Sequence, residues 1–404
     1  MTEDARYQQM IRWLDLSLPA VFNVQGWGQV PEASLTAASS DASFRRYFRW
    51  QGAGRSLIVM DAPPPQEDCR PFIKVAGLLA AAGVHVPKIL AEDVEQGFLL
   101  LDDLGRQTYL DVLTAQNAEE LFENALDALV AFQQVDAAQR LPAYDEALLR
   151  RELQLFPDWY LQRHLGVTLE GEQLARWERT CDLLVRSALA QPRVLVHRDY
   201  MPRNLMLSEP NPGILDFQDA VYGPVTYDVT CLYKDAFLSW PEPRVHDGLS
   251  RYWRKAQAAG IPLPENFETF FRASDLMGAQ RHLKVIGIFA RICIAMASLA
   301  TWAMCHASSA TWKASSRAGR SWATSPRCWP ACPKTRPTPH EGHDPRRGQG
   351  RAPAPADTAH AQAAGARWRR AADRVPVAGV APGRLRSAGD QPRLARPADR
   401  RPPG

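Results

Sequence analysis

Four polar residues in one stretch of the sequence have the types and spacing that phosphoryl transfer requires. His197, Asp199 and Asn204 fall within LVHRDYMPRNLM, and Asp216 follows the next short apolar run. In phosphoryl transfer a carboxylate accepts the proton of the attacking hydroxyl, while an Asn and a second Asp hold the Mg²⁺ ions bound to the phosphates. This segment therefore supplies all the residue types that such a reaction needs.

The elements around these residues are predicted to bring them together. Residues 194–196 are typical of a short buried strand, and residues 205–207 and 213–215 of two strands joined by a Ser-Glu-Pro-Asn-Pro turn. Asp199 would then lie at the base of a cleft. Asn204 and Asp216, the two residues of metal-binding type, would face it across the hairpin. An ordinary loop whose polar side chains cap turns would explain one such residue more easily than four.

The rest of the sequence predicts an α+β, two-lobed, protein-kinase-like fold. Before residue 104 the patterns indicate a helix at 3–18 that ends at Pro19, three strands within 35–60, a helix at 68–82 and two more strands near 88–91 and 98–101. From there to about Arg291 the patterns are mostly helical. We expect a nucleotide-binding lobe at residues 1–104 and a catalytic and substrate lobe at residues 105–293.

Charge is distributed unevenly along the chain. Residues 294–404 contain 19 Lys and Arg but only 6 Asp and Glu, whereas residues 1–293 contain 29 basic and 38 acidic residues. Nucleic-acid binding relies on a basic surface, so the acidic body predicts no nucleic-acid partner. The body has four scattered cysteines without the spacing of a metal or redox site, a pattern that suits a reducing cytoplasm.

Nothing in the sequence predicts membrane association. The N-terminal MTEDARYQQM is acidic and polar, unlike a secretory signal. The apolar run at residues 285–297 is short and broken by Arg291, which favours a buried helix over a membrane span. We expect a cytoplasmic protein; its oligomeric state is left open, with a monomer favoured.

The C-terminal segment, residues 294–404, differs in kind from the body. It has fourteen Pro and seventeen Arg but no Phe, Tyr or Asn, a composition that predicts disorder. A basic arm that binds nucleic acid or an anionic membrane is one alternative. We favour another, translation of GC-rich DNA out of frame, because codons for residues 301–313 can be chosen so that a neighbouring frame encodes an amphipathic helix.

Several stretches of the body resemble the aminoglycoside phosphotransferase family of small-molecule kinases. They are SSDASFRRYFRW, LLLDDLG, LVHRDYMPRNLM, ILDFQDAVYGPVTYDV and RHLKVIGIFAR. Within that family the chain is most similar to bacterial kinases that phosphorylate the anomeric hydroxyl of N-acetylmuramate or N-acetylglucosamine in peptidoglycan recycling. The resemblance implies an amino-sugar substrate, with ATP and Mg²⁺ as cofactors.

The resemblance also implies roles for the residues of the catalytic segment. Asp199 would be the base beside His197, and Asn204 and Asp216 would bind Mg²⁺. Arg198 or Arg203 could neutralise developing charge, although a surface salt bridge explains either equally well. Asp219 could assist the metal but is better explained as a turn cap, and Asp228 would orient the catalytic loop.

Two further segments would bind the nucleotide. Residues 39–46 would cover the phosphates through Ser40, Asp41, Ser43, Arg45 and Arg46. Residues 99–104 would form the hinge that binds adenine through its backbone, with Asp102 and Leu104 as the site residues. The family usually places a Lys on the third strand, but this chain has Met60 there, so Arg45 or Arg46 is the natural substitute.

Two alternatives remain open at this stage. The first is a kinase of another small alcohol or of an aminoglycoside, since the acidic body permits a pocket for a polycationic drug. The second is a catalytically dead, kinase-like binding protein, suggested by the missing lysine, or one that its basic tail tethers to nucleic acid.

Overall fold

The N-terminal part of the molecule is a five-stranded antiparallel sheet with two helices. We use a computed structural model, which describes residues 3–40 and 44–296. The strands lie in the order β1-β2-β3-β5-β4, and each neighbouring pair is antiparallel. In chain order the elements are α1 (Glu3–Val24), β1 (Ser34–Ser40), β2 (Arg46–Gly52), β3 (Arg55–Asp61), α2 (Arg70–Ala81), β4 (Ile89–Asp93) and β5 (Phe98–Asp102).

Alternate residues of β3 and β5 face two separate hydrophobic cores. Val59 and Leu100 belong to a core that packs under α1, whereas Met60 and Leu99 belong to a core that contains the buried face of α2. Successive side chains of a strand point to opposite faces, so this alternation fixes the two sides of the sheet. The core on the α2 side continues into the helical part of the chain, which makes it the side toward the catalytic segment.

Helix α1 continues past the proline that was predicted to end it. It runs from Glu3 to Val24 with Pro19 inside. Val21 and Phe22, beyond the proline, are 5 % and 2 % exposed, and the Phe22 ring lies 5.7 Å from that of Trp50. Burial of these side chains outweighs the cost of a proline in a helix, about 3 kcal/mol, so the prediction of a helix end at Pro19 was wrong.

The remainder of the described chain is mostly helical, as predicted, and short strand pairs interrupt it. Strand β6 pairs with β9, and β7 pairs with β8. In chain order the elements are α3 (Tyr109–Val112), α4 (Ala118–Gln133), α5 (Glu146–Leu155), a π-helix (Phe156–His164), α6 (Gly171–Leu189), β6 (Arg193–Val196), a 3₁₀ turn (Pro202–Asn204), β7 (Leu205–Met206), β8 (Gly213–Ile214), β9 (Val221–Pro224), α7 (Tyr227–Tyr233), α8 (Glu242–Ala258) and α9 (Phe267–Met296).

Contacts with the β7–β8 hairpin join the sheet part to the helical part. The N–H of Ile214 donates to the carbonyl of His85 at 2.8 Å, and the His85 ring contacts the carbonyl of Pro210 at 2.7 Å. Phe217, directly after Asp216, packs on Phe72 of α2 with 4.7 Å between ring centres. The position of the hairpin, and of Asp216 at its end, is thus tied to α2.

The antiparallel sheet followed by a helical part agrees with the predicted α+β, kinase-like fold. The proposed lobe boundary at residue 104 stays a prediction. Of the predicted tail, residues 294–296 form the end of α9, and the rest lies outside the described residues. Among the helices that the structure describes, none is long and apolar enough to cross a membrane.

Candidate active site

The catalytic segment runs from the end of β6 through the 3₁₀ turn into the β7–β8 hairpin. The side-chain NH₂ of Asn204 donates to the main-chain carbonyl of Asp199 at 2.8 Å and to Oδ2 of Asp216 at 3.4 Å. The N–H of Leu215 donates to the carbonyl of Asn204 at 2.9 Å, which ties the hairpin to the turn. The structure therefore brings the three residues together, while their chemical roles stay predictions.

The groups around Asn204 suit a magnesium ion. Both hydrogen bonds of Asn204 use its NH₂ group, which leaves the amide oxygen as a ligand beside the exposed Asp216 carboxylate. Magnesium prefers oxygen ligands and is usually bound by one or two side chains together with phosphate oxygens and water. Within residues 3–40 and 44–296, no group of three or more His, Cys, Asp or Glu side chains forms a fuller cage.

His197 is fully buried between main-chain groups. Its Nδ1 accepts the N–H of Asp199 at 3.2 Å, which puts the ring proton on Nε2, and Nε2 donates to the carbonyl of Leu215 at 3.0 Å. Burial lowers the pKa of His197 to about 4, against the opposing effects of Asp199 and the Leu215 carbonyl. Sequence analysis included His197 among the catalytic residues, but a neutral ring with both nitrogens bonded to main chain favours a positioning role.

Asp228 at the start of α7 holds the main chain of the catalytic loop. Its two carboxylate oxygens accept the N–H groups of His197 and Arg198 at 2.7 and 3.0 Å, and it is completely buried. Burial raises its pKa to about 7, although the two N–H groups oppose this rise. This geometry is what the resemblance implied, a carboxylate that orients the loop carrying Asp199.

The side chain of Arg198 is bound inside the protein and does not project toward a substrate. Its Nη2 forms an ion pair with Oε1 of Glu152, and its Nη1 donates to the carbonyl of Asp219 at 3.3 Å. Arg198 has φ of 78°, a left-handed conformation that is uncommon outside glycine. The ion pair and the main-chain hydrogen bonds that Asp228 accepts hold the loop in this conformation. Arg198 thus forms a salt bridge, but a buried one and not the surface salt bridge that was considered.

Glu152 on α5 is the centre of a buried polar cluster. Its Oε1 also pairs with Nζ of Lys284 at 3.1 Å, while Oε2 accepts from the hydroxyl of Tyr144 at 2.5 Å and from Nε2 of Gln280 at 3.0 Å. Burial opposes the ionisation of Glu152, but Lys284 and Arg198 outweigh it and lower its pKa to about 2. The catalytic loop is thereby tied to two helices, α5 and α9.

The sequence pattern did not predict this cluster, although it contains a weak signal for it. Glu152 lies on the face of α5 that also buries Leu149 and Leu153, and Lys284 interrupts an apolar face of α9. A charged residue on an apolar helix face requires a buried partner. The two helices can meet because Gly287 approaches α5 closely, where an added Cβ would lie 2.4 Å from the carbonyl carbon of Leu155.

Arg203 on the 3₁₀ turn is exposed, and its guanidinium carbon lies 5.3 Å from the centre of the Phe237 ring. None of the ion pairs among the described residues includes it, so the salt-bridge explanation is not supported for this arginine. Asp219 is also exposed, and its Oδ2 accepts from Nε2 of Gln218 at 3.4 Å. Arg203 therefore remains the candidate cation at the mouth of the site.

The predicted adenine hinge is fixed by its side chains. Oδ1 of Asp102 accepts the N–H of Lys88 at 2.6 Å, and burial raises the pKa of Asp102. Arg49 binds both carboxylate oxygens of Asp103 at 2.6 and 3.0 Å. Leu104 packs against Gly213, where an added Cβ would lie 2.8 Å from Cδ1 of Leu104. Because residues 99–102 are paired with β3 or β4, and the N–H of Asp102 donates to the carbonyl of Lys88, the predicted adenine contact would use the main chain of Asp103 and Leu104.

The predicted phosphate-covering segment is described only at its ends. Asp41 and Ser43 lie outside the described residues, and the main chain of Ser40 ends β1 opposite Arg46. Arg46 binds Oδ2 of Asp61 through Nε and Nη2 at 3.0 and 2.6 Å, and Arg6 of α1 binds Oδ1 of the same buried carboxylate. Arg46 therefore lies on the α1 side of the sheet, away from the catalytic segment.

Arg45 lies on the other side of the sheet. Its Nε is 3.3 Å from Oε2 of Glu67, a residue shortly before α2, and Oε1 of Glu67 accepts the N–H of Phe44 at 3.2 Å. Met60, at the position where the family usually has a Lys, is completely buried in the core that includes α2. Between the two predicted substitutes for that Lys, the structure favours Arg45.

Comparison with curated proteins finds close relatives of one kind. A Pseudomonas aeruginosa protein named N-acetylmuramate/N-acetylglucosamine kinase is 79 % identical over 293 residues, which are 72 % of this chain and 87 % of the relative. A Pseudomonas putida protein of the same name is 66 % identical over 290 residues, 72 % of this chain and 86 % of the relative. The similarity thus extends over most of each relative.

Two further comparisons concern the family and the fold. A crystal structure of a putative aminoglycoside phosphotransferase from Ralstonia eutropha superposes with a TM-score of 0.52 at 15 % identity, covering 75 % of this chain and 98 % of that one. Such a likeness shows the fold alone, and it confirms the predicted kinase-like architecture. Residues 34–263 match the model of the phosphotransferase enzyme family. That span is more than half of the chain, and the protein therefore belongs to this family.

Proposed function

We propose that the protein is an ATP-dependent kinase that phosphorylates the anomeric hydroxyl of N-acetylmuramate and N-acetylglucosamine. The observation that carries the proposal is the 79 % identity to a relative of that name, over 87 % of the relative's length. The hydrogen bonds that place Asn204 beside Asp199 and Asp216 support it independently, because they assemble the groups that phosphoryl transfer uses.

Asp199 is the proposed base. As the oxygen of the anomeric hydroxyl bonds to the γ-phosphorus of ATP and ADP leaves, the hydroxyl proton passes to the Asp199 carboxylate. The main chain of Asp199 is fixed through His197, Arg198 and Asp228. A base of this kind contributes about 10²–10⁴-fold to the rate. An anomeric hydroxyl is more acidic than an ordinary sugar alcohol, so a single carboxylate is an adequate base for it.

Asn204 and Asp216 are the proposed ligands of Mg²⁺. When bound, the ion neutralises charge on the phosphates of ATP. Arg45 on the sheet side and Arg203 at the mouth of the site are the proposed cations for the phosphates and for charge that develops during transfer. The hinge at residues 99–104 would bind adenine, and the segment from Ser40 to Arg46 would cover the phosphates.

The test of this function is product analysis. Purified protein is incubated with ATP, Mg²⁺ and each sugar, and the product is examined by ³¹P NMR. A phosphate signal coupled to the anomeric proton is the expected result for both sugars. A phosphate coupled to the C6 protons, or turnover of an aminoglycoside with none of either sugar, would refute the proposal.

The two alternatives raised by the sequence are not favoured. The close relatives have a sugar-kinase name, and they cover the body of the chain, including the catalytic segment. The dead-enzyme alternative rested on the missing third-strand lysine, for which Arg45 beside Glu67 offers a replacement cation. Turnover of N-acetylglucosamine in a kinase assay, with none of an aminoglycoside, would exclude both alternatives.

We further propose that the protein acts in the cytoplasm as a monomer, without a nucleic-acid or membrane partner. The four cysteines of the described chain, Cys69, Cys181, Cys231 and Cys293, are all free, which fits a reducing compartment. Light scattering coupled to size exclusion should give the mass of one chain, and a mass of two or more chains would exclude the monomer.

A further inference from the structure

Two buried charged side chains near the catalytic loop have polar atoms without partners. Asp235, after the end of α7, is 1 % exposed; its Oδ1 accepts the N–H of Ala236 at 2.6 Å, but its Oδ2 has no hydrogen-bond partner among the described residues. Arg281 on α9 is 4 % exposed, and its Nε likewise has none within the described chain. Buried polar atoms are nearly always hydrogen-bonded, so both atoms need an explanation.

The Asp235 segment packs beside the turn that carries the catalytic residues. Phe237, two residues after Asp235, lies under the guanidinium of Arg203 at 5.3 Å, and Arg203 directly precedes Asn204. Phe237 also contacts Phe289 of α9, with 5.9 Å between ring centres. The unpartnered carboxylate oxygen therefore belongs to a segment that packs against both the 3₁₀ turn and α9.

Arg281 on α9 packs against α7, the helix that bears Asp228. Its guanidinium carbon lies 5.4 Å from the centre of the Tyr227 ring. Cys231, one turn further along α7, donates its thiol to the carbonyl of Arg198 at 3.4 Å, which places this face of the helix against the catalytic loop. Burial opposes the charge of Arg281, but its neighbours, including Asp199 and Asp235, raise its pKa, so the guanidinium stays charged.

Glu152 shows how a buried charge with a purely structural role is bonded in this protein. Glu152 has four partners, and each of its carboxylate oxygens is bonded. Asp235 and Arg281 differ, because no ion pair of the described chain includes either of them, and Oδ2 of Asp235 and Nε of Arg281 have no hydrogen-bond partner there. Nε of Arg198 also lacks a partner, but the Arg198 guanidinium is paired with Glu152. An unmade hydrogen bond of a buried group costs about 1–3 kcal/mol, and more for a charged group, so a ligand that satisfies both atoms gains that energy on binding.

A sugar has the groups that would satisfy them. A ring hydroxyl can donate to Oδ2 of Asp235, and a ring, hydroxyl or acetamido oxygen can accept from Nε–H of Arg281. We propose that Asp235 and Arg281 bind the acceptor sugar in this way and hold it with its reacting hydroxyl at Asp199. This inference rests on the proposed function, and it names the residues that select the acceptor.

The first test compares two conservative variants with matched exposed controls. Asp235→Asn and Arg281→Lys should raise KM for N-acetylglucosamine about 10- to 100-fold, the loss expected for a hydrogen bond to a charged group, and leave KM for ATP within about twofold. Asp247→Asn on α8 and Arg272→Lys on α9 make the same changes at exposed positions and should alter neither constant. Unchanged sugar KM in both site variants would overturn the proposal.

A second test uses the wild-type chain and does not depend on how well the variants fold. The 3-, 4- and 6-deoxy analogues of N-acetylglucosamine are compared by kcat/KM. Deleting the hydroxyl that Asp235 binds leaves the carboxylate unpartnered again, so one analogue should lose about 10- to 100-fold, and the same deletion should cost little in Asp235→Asn. Losses below about threefold for every analogue would overturn the proposal.

The two tests separate this inference from the proposed function. If the wild-type chain phosphorylates neither sugar, the proposed function fails, and this inference fails with it. If the wild type phosphorylates both sugars but the variants and analogues behave as the controls do, only the assignment of Asp235 and Arg281 fails. A variant that raises KM for sugar and ATP equally, or lowers the melting temperature with no change in sugar KM, indicates a structural role and also overturns the assignment.

Discussion

The catalytic loop and the start of β2, where the predicted phosphate-covering segment ends, are held by different kinds of contact. The catalytic loop is fixed from behind by the fully buried Asp228 and by the buried Glu152, which bond its main chain and its arginine. At the start of β2, Arg45 and Arg46 are themselves partly exposed and are each paired with a carboxylate. The proposed base is thus supported by the core, whereas Arg45, the proposed phosphate cation, and its neighbour Arg46 are held by ion pairs nearer the surface.

This difference follows from what each region has to do. A base must be held within a fraction of an ångström of the reacting hydroxyl, and misplacement by about 1 Å can cost about 10²-fold in rate. A cation that pairs with phosphates acts over a longer range and tolerates more variation in position. The comparison predicts large, cooperative effects for changes behind the catalytic loop and smaller, separable effects for changes at the start of β2.

The largest expected effect is the loss of the base itself. Asp199→Asn should lower kcat by about 10²–10⁴-fold while ATP binding largely survives, because the proposed metal ligands remain. Steady-state kinase assays and nucleotide titration measure the two quantities. Glu209→Gln, the same charge change at an exposed position of the hairpin turn, should leave both unchanged. Near-normal turnover of the Asp199 variant would remove this residue from the mechanism.

The second largest effect is expected for removal of the Glu152 charge at the centre of the buried cluster. Glu152→Gln leaves Lys284 and Arg198 buried without their counter-ion, and breaking such a pair typically costs about 3–5 kcal/mol. Urea denaturation measures this loss, and kcat should fall as well because Arg198 is released. Glu146→Gln, an exposed carboxylate of the same helix paired with Arg150, should cost at most about 1 kcal/mol. Equal stability of the two variants would contradict the proposed importance of the cluster.

The third expected effect is a decrease in the free energy of unfolding at low pH. The pKa of His197 is about 4 in the folded protein and near 6.5 when unfolded. Its contribution to the free energy of unfolding is therefore complete above pH 6.5 and is lost as the pH falls through 4. The expected loss is about 3 kcal/mol. Asp228, whose pKa is raised to about 7, has the opposite effect, because its contribution to stability grows as the pH falls from about 7 to 4. This effect is common to the wild type and to the His197→Gln variant.

Comparison of wild type with His197→Gln isolates the histidine from these other groups. The difference in free energy of unfolding between pH 7 and pH 4, measured by urea denaturation, should be smaller in the variant. Gln is chosen because its side chain can still donate to the Leu215 carbonyl. Identical pH dependence in the two proteins would show that His197 is not the buried neutral group described above.

Sequence patterns predicted the local features of the molecule and missed the distant ones. The strands around the catalytic segment and the proximity of Asn204 to Asp199 and Asp216 follow from spacing within about twenty residues. The partners of Arg198 do not, since Glu152 is 46 residues away in the chain and Lys284 further still. A lone charge on an apolar helix indicates that a partner exists, but only the packing of helices identifies it.

The predicted helix end at Pro19 was wrong for a related reason. The local rule that a proline ends a helix was outweighed by the burial of apolar side chains that follow it. The same limit applies to the two arginines at the start of β2. Sequence analysis could not choose between Arg45 and Arg46, since neighbouring residues differ only in the face they occupy. The register of β2 against β3, which sets Arg46 opposite Asp61, supplies that choice.

The smallest expected effect tests this choice and sharpens the comparison between the two regions. Arg45→Ala should raise KM for ATP about tenfold, the loss of one charge-assisted contact of about 1.4 kcal/mol, with little change in KM for the sugar. Arg46→Ala should leave KM for ATP within about twofold and lower stability instead, because Asp61 then keeps only Arg6 on the α1 side. Arg70→Ala, an exposed ion-paired arginine at the start of α2, is the control and should change neither quantity. If Arg46→Ala raised KM for ATP more than Arg45→Ala did, the phosphate cation would lie on the α1 side, and the assignment of faces made from the strand register would have to be reversed.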